Sequence, residues 1–80
     1  MIEPVEIETM LQAAFPDGRF VVRDLTGTRD HYEAVIVTKA FSSLSLIDRH
    51  RLVYAALGDA MKQRIHALTL KTQTPEEAAK

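Results

Sequence analysis

Apolar residues at the start of the chain recur at a helical interval. Ile7, Met10, Leu11 and Ala14 fall at i, i+3, i+4 and i+7, which is one stripe of a helix, and predict a helix from Glu3 to Phe15. Pro4 suits its first turn, where a missing N–H is harmless. Glu3, Glu6 and Glu8 lie near the positive end of its dipole, and Pro16-Asp17-Gly18 stops it. The period then drops to two. Phe20, Val22 and Asp24 alternate with Val21, Arg23 and Leu25, which predicts a strand over Arg19 to Leu25. A polar turn, Thr26-Gly27-Thr28-Arg29-Asp30, leads into His31 to Thr38, rich in β-branched and aromatic residues. Two strands and a short turn read as an antiparallel hairpin.

The second half returns to the helical period. Lys39 to Ser45 reads as a loop or a short helical turn. Ser45 is placed to cap a helix, with Asp48 three residues on. That helix is expected to run to about Gln63 or Arg64, with Val53, Ala56, Leu57 and Ala60 as its core stripe and Met61 beside it. Gly58 lies inside, at a cost in stability unless something packs closely there. A third strand follows over His66 to Thr72, with His66, Leu68 and Leu70 on one face and Ala67, Thr69 and Lys71 on the other. Thr74 then caps a short terminal helix, with Pro75 first and Glu77 closing a capping box. The order α-β-β-α-β-α predicts an α+β, two-layer sandwich: a three-stranded mixed sheet with helices on one face. The other face would be at least partly open to water or to a partner.

Composition narrows the class. Eighty residues with 46% hydrophobic positions suit a single domain over residues 1–80 with a thin core. A net charge of -1 provides no global basic field for steering nucleic acid. The chain has no cysteine, so it cannot form a disulfide or build a four-cysteine iron–sulfur or zinc site of its own. Sulfur for any soft metal centre must come from a partner. No apolar run approaches the ~20 residues that span a bilayer, and the acidic Met1-Ile2-Glu3-Pro4-Val5-Glu6 lacks a signal-peptide core. The cytoplasm is the expected compartment.

The chemistry-bearing positions are few. His31 opens the second strand and His66 the third. Each is either a strand-end residue bonded to its surroundings or an imidazole ligand for iron or zinc, and the two could meet if the strand starts are neighbours. Arg49-His50-Arg51 lies at the start of the long helix. Residues two apart point about 200° away from each other, so the two arginines cannot share a face. One is expected to pair with Asp48, Asp59 or a strand carboxylate while the other faces out. No nucleophile–base pair or phosphate-cradling glycine loop can be named, so no enzyme activity is expected.

The segment Phe41-Ser42-Ser43-Leu44-Ser45-Leu46-Ile47-Asp48-Arg49-His50-Arg51, followed by Ile65-His66-Ala67-Leu68 and then Thr74-Pro75-Glu76-Glu77, resembles the BolA family over about residues 5 to 77. The family's fold is class II KH-like, but the Gly-x-x-Gly loop by which KH domains clamp single strands is absent. The resemblance implies a protein that binds a [2Fe-2S] cluster together with a monothiol glutaredoxin, in iron–sulfur cluster trafficking or assembly or in iron and redox regulation. The glutaredoxin and a bound glutathione would supply the thiolates, and the isolated chain would hold no cofactor. His66 matches the family's strand-entry histidine ligand. The family draws its second ligand from the hairpin loop. Here His31, directly before Tyr32, resembles a His-aromatic pair found in many bacterial members and is the expected second ligand, with Asp30 as the fallback.

The family also implies a helix-turn-helix-like element, which makes Phe41, Arg49, His50 and Arg51 candidates for partner or nucleic-acid contact. A modest basic patch would join Lys39, Arg51, Lys62 and Arg64. The alternative function is therefore a DNA-binding transcriptional regulator using the Arg49–Arg51 helix, with weak DNA affinity. Alone, the chain is expected to be a monomer or weak homodimer, away from membranes. One departure marks the sequence: Ser43 stands where the family usually carries glycine. Serine takes that turn readily only if its φ stays negative.

Overall fold

A computed structural model describes residues 2–27, 31–63, 65 and 67–80, without the side chains of Lys62 and Gln63. The chain forms α1 (Pro4–Ala14), β1 (Arg19–Asp24), β2 (His31–Val37), a 3₁₀ turn (Lys39–Phe41), α2 (Leu46–Leu57), α3 (Ala60–Gln63), β3 (Ala67–Gln73) and α4 (Pro75–Ala78). The sheet order is β1-β2-β3. β1 runs antiparallel to β2, with Arg19 opposite Val37 and Asp24 opposite Tyr32. β2 runs parallel to β3, with His31 opposite Ala67 and Val37 opposite Gln73. A parallel pair needs a long crossover, and the 3₁₀ turn, α2 and α3 supply it. The α+β architecture and mixed three-stranded sheet stand as the sequence predicted.

Register sorts the side chains. Even-numbered strand residues face the helices: Val22, Tyr32, Ala34 and Ile36 are buried there with Ile7, Leu11, Val53 and Leu57. Odd-numbered residues make the outer face, where Val21 is 56% exposed and Arg23 pairs with Glu33 at 2.7 Å. The α1 stripe is shorter than its period suggests. Ile7 and Leu11 are buried while Ala14 is exposed, and Phe15 turns into the core just past the helix end. Ile2 is also sealed in the core, held by the Tyr32 hydroxyl, which donates to its carbonyl at 2.6 Å. Thr74 and Glu77 form the expected capping box of α4.

The long helix expected through residue 63 is instead two. Gly58 adopts φ 53°, ψ -129° and ends α2, its N–H donating to Tyr54 O at 2.9 Å. A positive φ with an extended ψ is a conformation that glycine, lacking a Cβ, adopts at little cost. Nothing packs against the space a Cβ would fill at less than 4.0 Å, so the glycine is there for its dihedral and not for close packing. The break turns Ala60 and Ile65 into the core.

Ser43 shows the complementary case. Leu44 N–H donates to Phe41 O at 3.1 Å, Ser42 has φ -59° and ψ 132°, and Ser43 has φ 65°. This is a type II turn, which demands positive φ at its third residue. Serine therefore occupies a glycine conformation, and the turn keeps its shape at the expense of local strain.

Candidate functional site

Two ends of the sheet carry the positions singled out by the sequence. At the end where β2 and β3 begin, the hairpin is closed by Leu25 N–H donating to His31 O at 2.8 Å. His31 is exposed as the first residue of β2. Its neighbour Tyr32 points the other way and is buried, so the Tyr32–Ile2 bond fixes the strand beneath an accessible imidazole. The parallel register sets His31 beside Ala67, the residue that follows His66 in the chain. His66 itself, and the fallback Asp30, lie outside the described residues. Among the described residues no three His, Cys, Asp or Glu side chains gather as a metal site.

At the other end stands Arg49, and its partner differs from those expected. Its guanidinium meets the Glu77 carboxylate with two bonds, Nη1 to Oε1 at 2.7 Å and Nη2 to Oε2 at 3.2 Å. Two further donors are also used: Nε donates to Leu44 O and Nη1 to Thr72 O, both at 3.2 Å. The cation lies 5.8 Å from the centre of the Phe41 ring. One side chain thus ties α2 to the loop before it, to the end of β3 and to α4. The guanidinium, and after it the Thr74 N–H, pull the Glu77 carboxyl down from 4.5 to about 2. Glu77 in turn raises Arg49. Such a planar two-bond pair is a geometry that lysine cannot copy.

This divides the four residues expected to make contacts. Phe41 is fully buried, packed 5.6 Å from the Phe15 ring, and it shapes the loop from inside; it presents no surface. The Arg49 side chain is only 12% exposed and its charge is spent internally, so it too leaves the contact surface. Arg51 is 77% exposed, with Asp48 at a loose 3.7 Å. His50 is half-buried and stands edge-on to Tyr54 with ring centres 6.5 Å apart; its Nε2 is buried without a hydrogen-bond partner among the described residues. Of the wider basic patch, Lys39 and Arg51 are exposed, the Lys62 side chain is not described, and Arg64 lies outside the described residues. Glu77 is the residue whose second role the sequence concealed: the capping motif accounted for it, and its partner lies 28 positions away. No local signal marks such a pair.

The fold defines a class: two-layer α+β proteins with a hairpin, a helical crossover and a parallel third strand. A family model described as BolA-like protein matches residues 4–77, and the chain belongs to the BolA family. It is 37% identical over 71 residues to an uncharacterized protein of Rickettsia prowazekii, covering 89% of this chain and 92% of that one. It is also 37% identical over 78 residues to SufE-like protein 1 of Arabidopsis thaliana, covering 95% of this chain but 21% of that much longer one. The DNA-binding transcriptional regulator BolA of Escherichia coli is 32% identical over 78 residues, with 89% and 74% covered. Among solved structures, a bolA homologue from Coxiella burnetii superposes with a TM-score of 0.86 at 34% identity, covering both chains fully. Among the described residues no helix is long and apolar enough to cross a membrane.

Proposed function

We propose that this chain contributes histidine ligation to a [2Fe-2S] cluster shared with a monothiol glutaredoxin, within iron–sulfur cluster trafficking or iron and redox regulation. The observation that supports this most is the register: exposed His31 stands beside Ala67, the residue that follows His66 in the sequence, so the starts of β2 and β3 are neighbours. The donor set fits a shared centre and not a private one. With no cysteine and no gathered ligand group among the described residues, thiolates must come from the partner and its glutathione. Imidazole in place of thiolate raises a cluster's potential, which suits a protein that relays or senses a cluster. The chain's own contribution is to hold an imidazole on a strand anchored from behind by Tyr32.

The test is anaerobic reconstitution with a monothiol glutaredoxin and glutathione, read by visible absorption and circular dichroism. The His31→Ala/His66→Ala double variant should lose the spectrum of the mixed complex while Arg51→Ala keeps it. A double variant with the wild-type spectrum sinks the reading. The rival, DNA binding, rests on the E. coli relative's name and on exposed Arg51. It is weakened by the capture of Arg49 and by the net charge of -1. It would gain if Arg51→Ala abolished a salt-sensitive gel shift that the histidine variants leave intact.

A further inference from the structure

The outer face of the sheet is walled at the end where β2 finishes. After Gln73 the chain caps α4 and carries it beside the far end of the sheet, next to the facing pair Arg19 and Val37. A groove of about 410 Å³ results, within the size range of small-molecule sites. Its apolar wall is Val37, Pro75, Ala78 and Ala79. Its charged lining is Arg19, Lys39 and Asp17.

The balance of those three charges decides what the groove favours. Asp17 is already employed: Oδ1 accepts from the Thr38 hydroxyl at 2.8 Å and Oδ2 from Lys39 N–H at 2.9 Å. Those two neutral donors hold its carboxyl below the usual range, with a lesser coulombic pull from Lys39. The cations are not so employed. Neither the Arg19 guanidinium nor the Lys39 ammonium makes an ion pair or side-chain hydrogen bond among the described residues. The cavity of about 390 Å³ near Arg49 differs in its balance: Glu77 already neutralises Arg49, and Glu76 there offsets the charge of Lys80.

We propose that the groove between α4 and the Arg19/Val37 end of the sheet binds a small organic anion: an acidic head on Arg19 and Lys39, a short apolar body against Val37, Pro75 and Ala78. The site is separate from the histidine end, since His31 and Val37 are the first and last residues of β2 and six strand steps span about 20 Å. It requires no metal and no partner.

The test is a ¹⁵N-labelled titration of the whole chain with hexanoate, hexyl phosphate, hexan-1-ol and inorganic phosphate. At least one amphiphilic anion should saturate with amide shifts confined to residues 17–19, 37–39 and 75–79, binding at least tenfold more tightly than the alcohol and inorganic phosphate. Which of the two wins names the head group as carboxylate or phosphate ester. The Arg19→Gln/Lys39→Gln variant, altered only at exposed side chains, should weaken binding at least tenfold. Ala78→Phe, which fills the groove, should do the same, and His31→Ala should leave binding unchanged. Non-saturating shifts, equal binding of hexan-1-ol, or wild-type affinity in the double variant each overturns the site. Loss of binding in His31→Ala overturns its independence from the histidine end.

Discussion

The two ends of the sheet are built on different principles. Where β2 and β3 begin, the described polar contacts are mostly short in sequence. Asp24 Oδ1 accepts from Thr26 N–H at 3.3 Å and Gly27 N–H at 3.1 Å, and Leu25 N–H donates to His31 O across the hairpin; a longer reach joins Tyr32 to Ile2. Where the strands finish, distant segments are stitched together: Thr38 to Asp17, Arg49 to Thr72 and Arg49 to Glu77. Phe41 lies beneath them, fully buried. A parallel pair joined by a long crossover has no tight turn to hold its ends, so cross-links at the exit do that work. The entry end presents the exposed His31 at the start of a strand that Tyr32 anchors from behind.

Several substitutions probe that contrast. Phe41→Ala should remove the most, about 3–5 kcal/mol as for other buried aromatics, a large fraction of a small domain's stability. Urea unfolding followed by far-ultraviolet circular dichroism measures it, and a loss below about 1 kcal/mol would mean that the exit end is not the anchored one.

Glu77→Gln comes next, and its signature is pH dependence. The folded carboxyl is depressed from 4.5 to about 2. Its contribution is therefore complete above the unfolded value and lost as pH falls through the folded one. Wild type should lose melting temperature between pH 4.5 and 2. The variant should start several degrees lower at neutral pH and show a shallower acid limb. Parallel acid limbs in the two proteins would show that the Arg49 pair is idle in solution.

Tyr32→Phe should cost about 1 kcal/mol, the usual worth of a buried hydrogen bond, and should speed amide exchange near Ile2. Unchanged exchange there would leave the entry end without its long-range anchor. The smallest effect is a gain. Ser43→Gly relieves a left-handed conformation but adds freedom to the unfolded chain, for a net rise of up to ~1 kcal/mol. A lower melting temperature in that variant would argue that the positive φ at Ser43 is not strained.

Hydrophobic period and capping chemistry together made most of the fold legible. The stripe through Ile7 and Leu11, the alternation in β1, and the Ser45 and Thr74 caps are local patterns that encode elements without reference to anything distant. Family resemblance singled out His31 and His66 as expected ligands, which spacing alone could not distinguish from ordinary strand histidines. Gly58 was visible but ambiguous: a glycine within a helical period either packs closely or ends the helix, and its dihedral settled the matter.

The sequence by itself determined the element order, the lack of thiolate, the turn and cap residues, and the positions that bear imidazole and guanidinium. Tertiary structure alone decided which of those side chains face solvent. It buried Phe41, joined Arg49 to Glu77 across 28 positions, and brought Arg19, Lys39 and α4 around one groove. The reason is physical: caps and periodicities act over a few residues, whereas burial and charge pairing depend on distances that exist only after the crossover has folded.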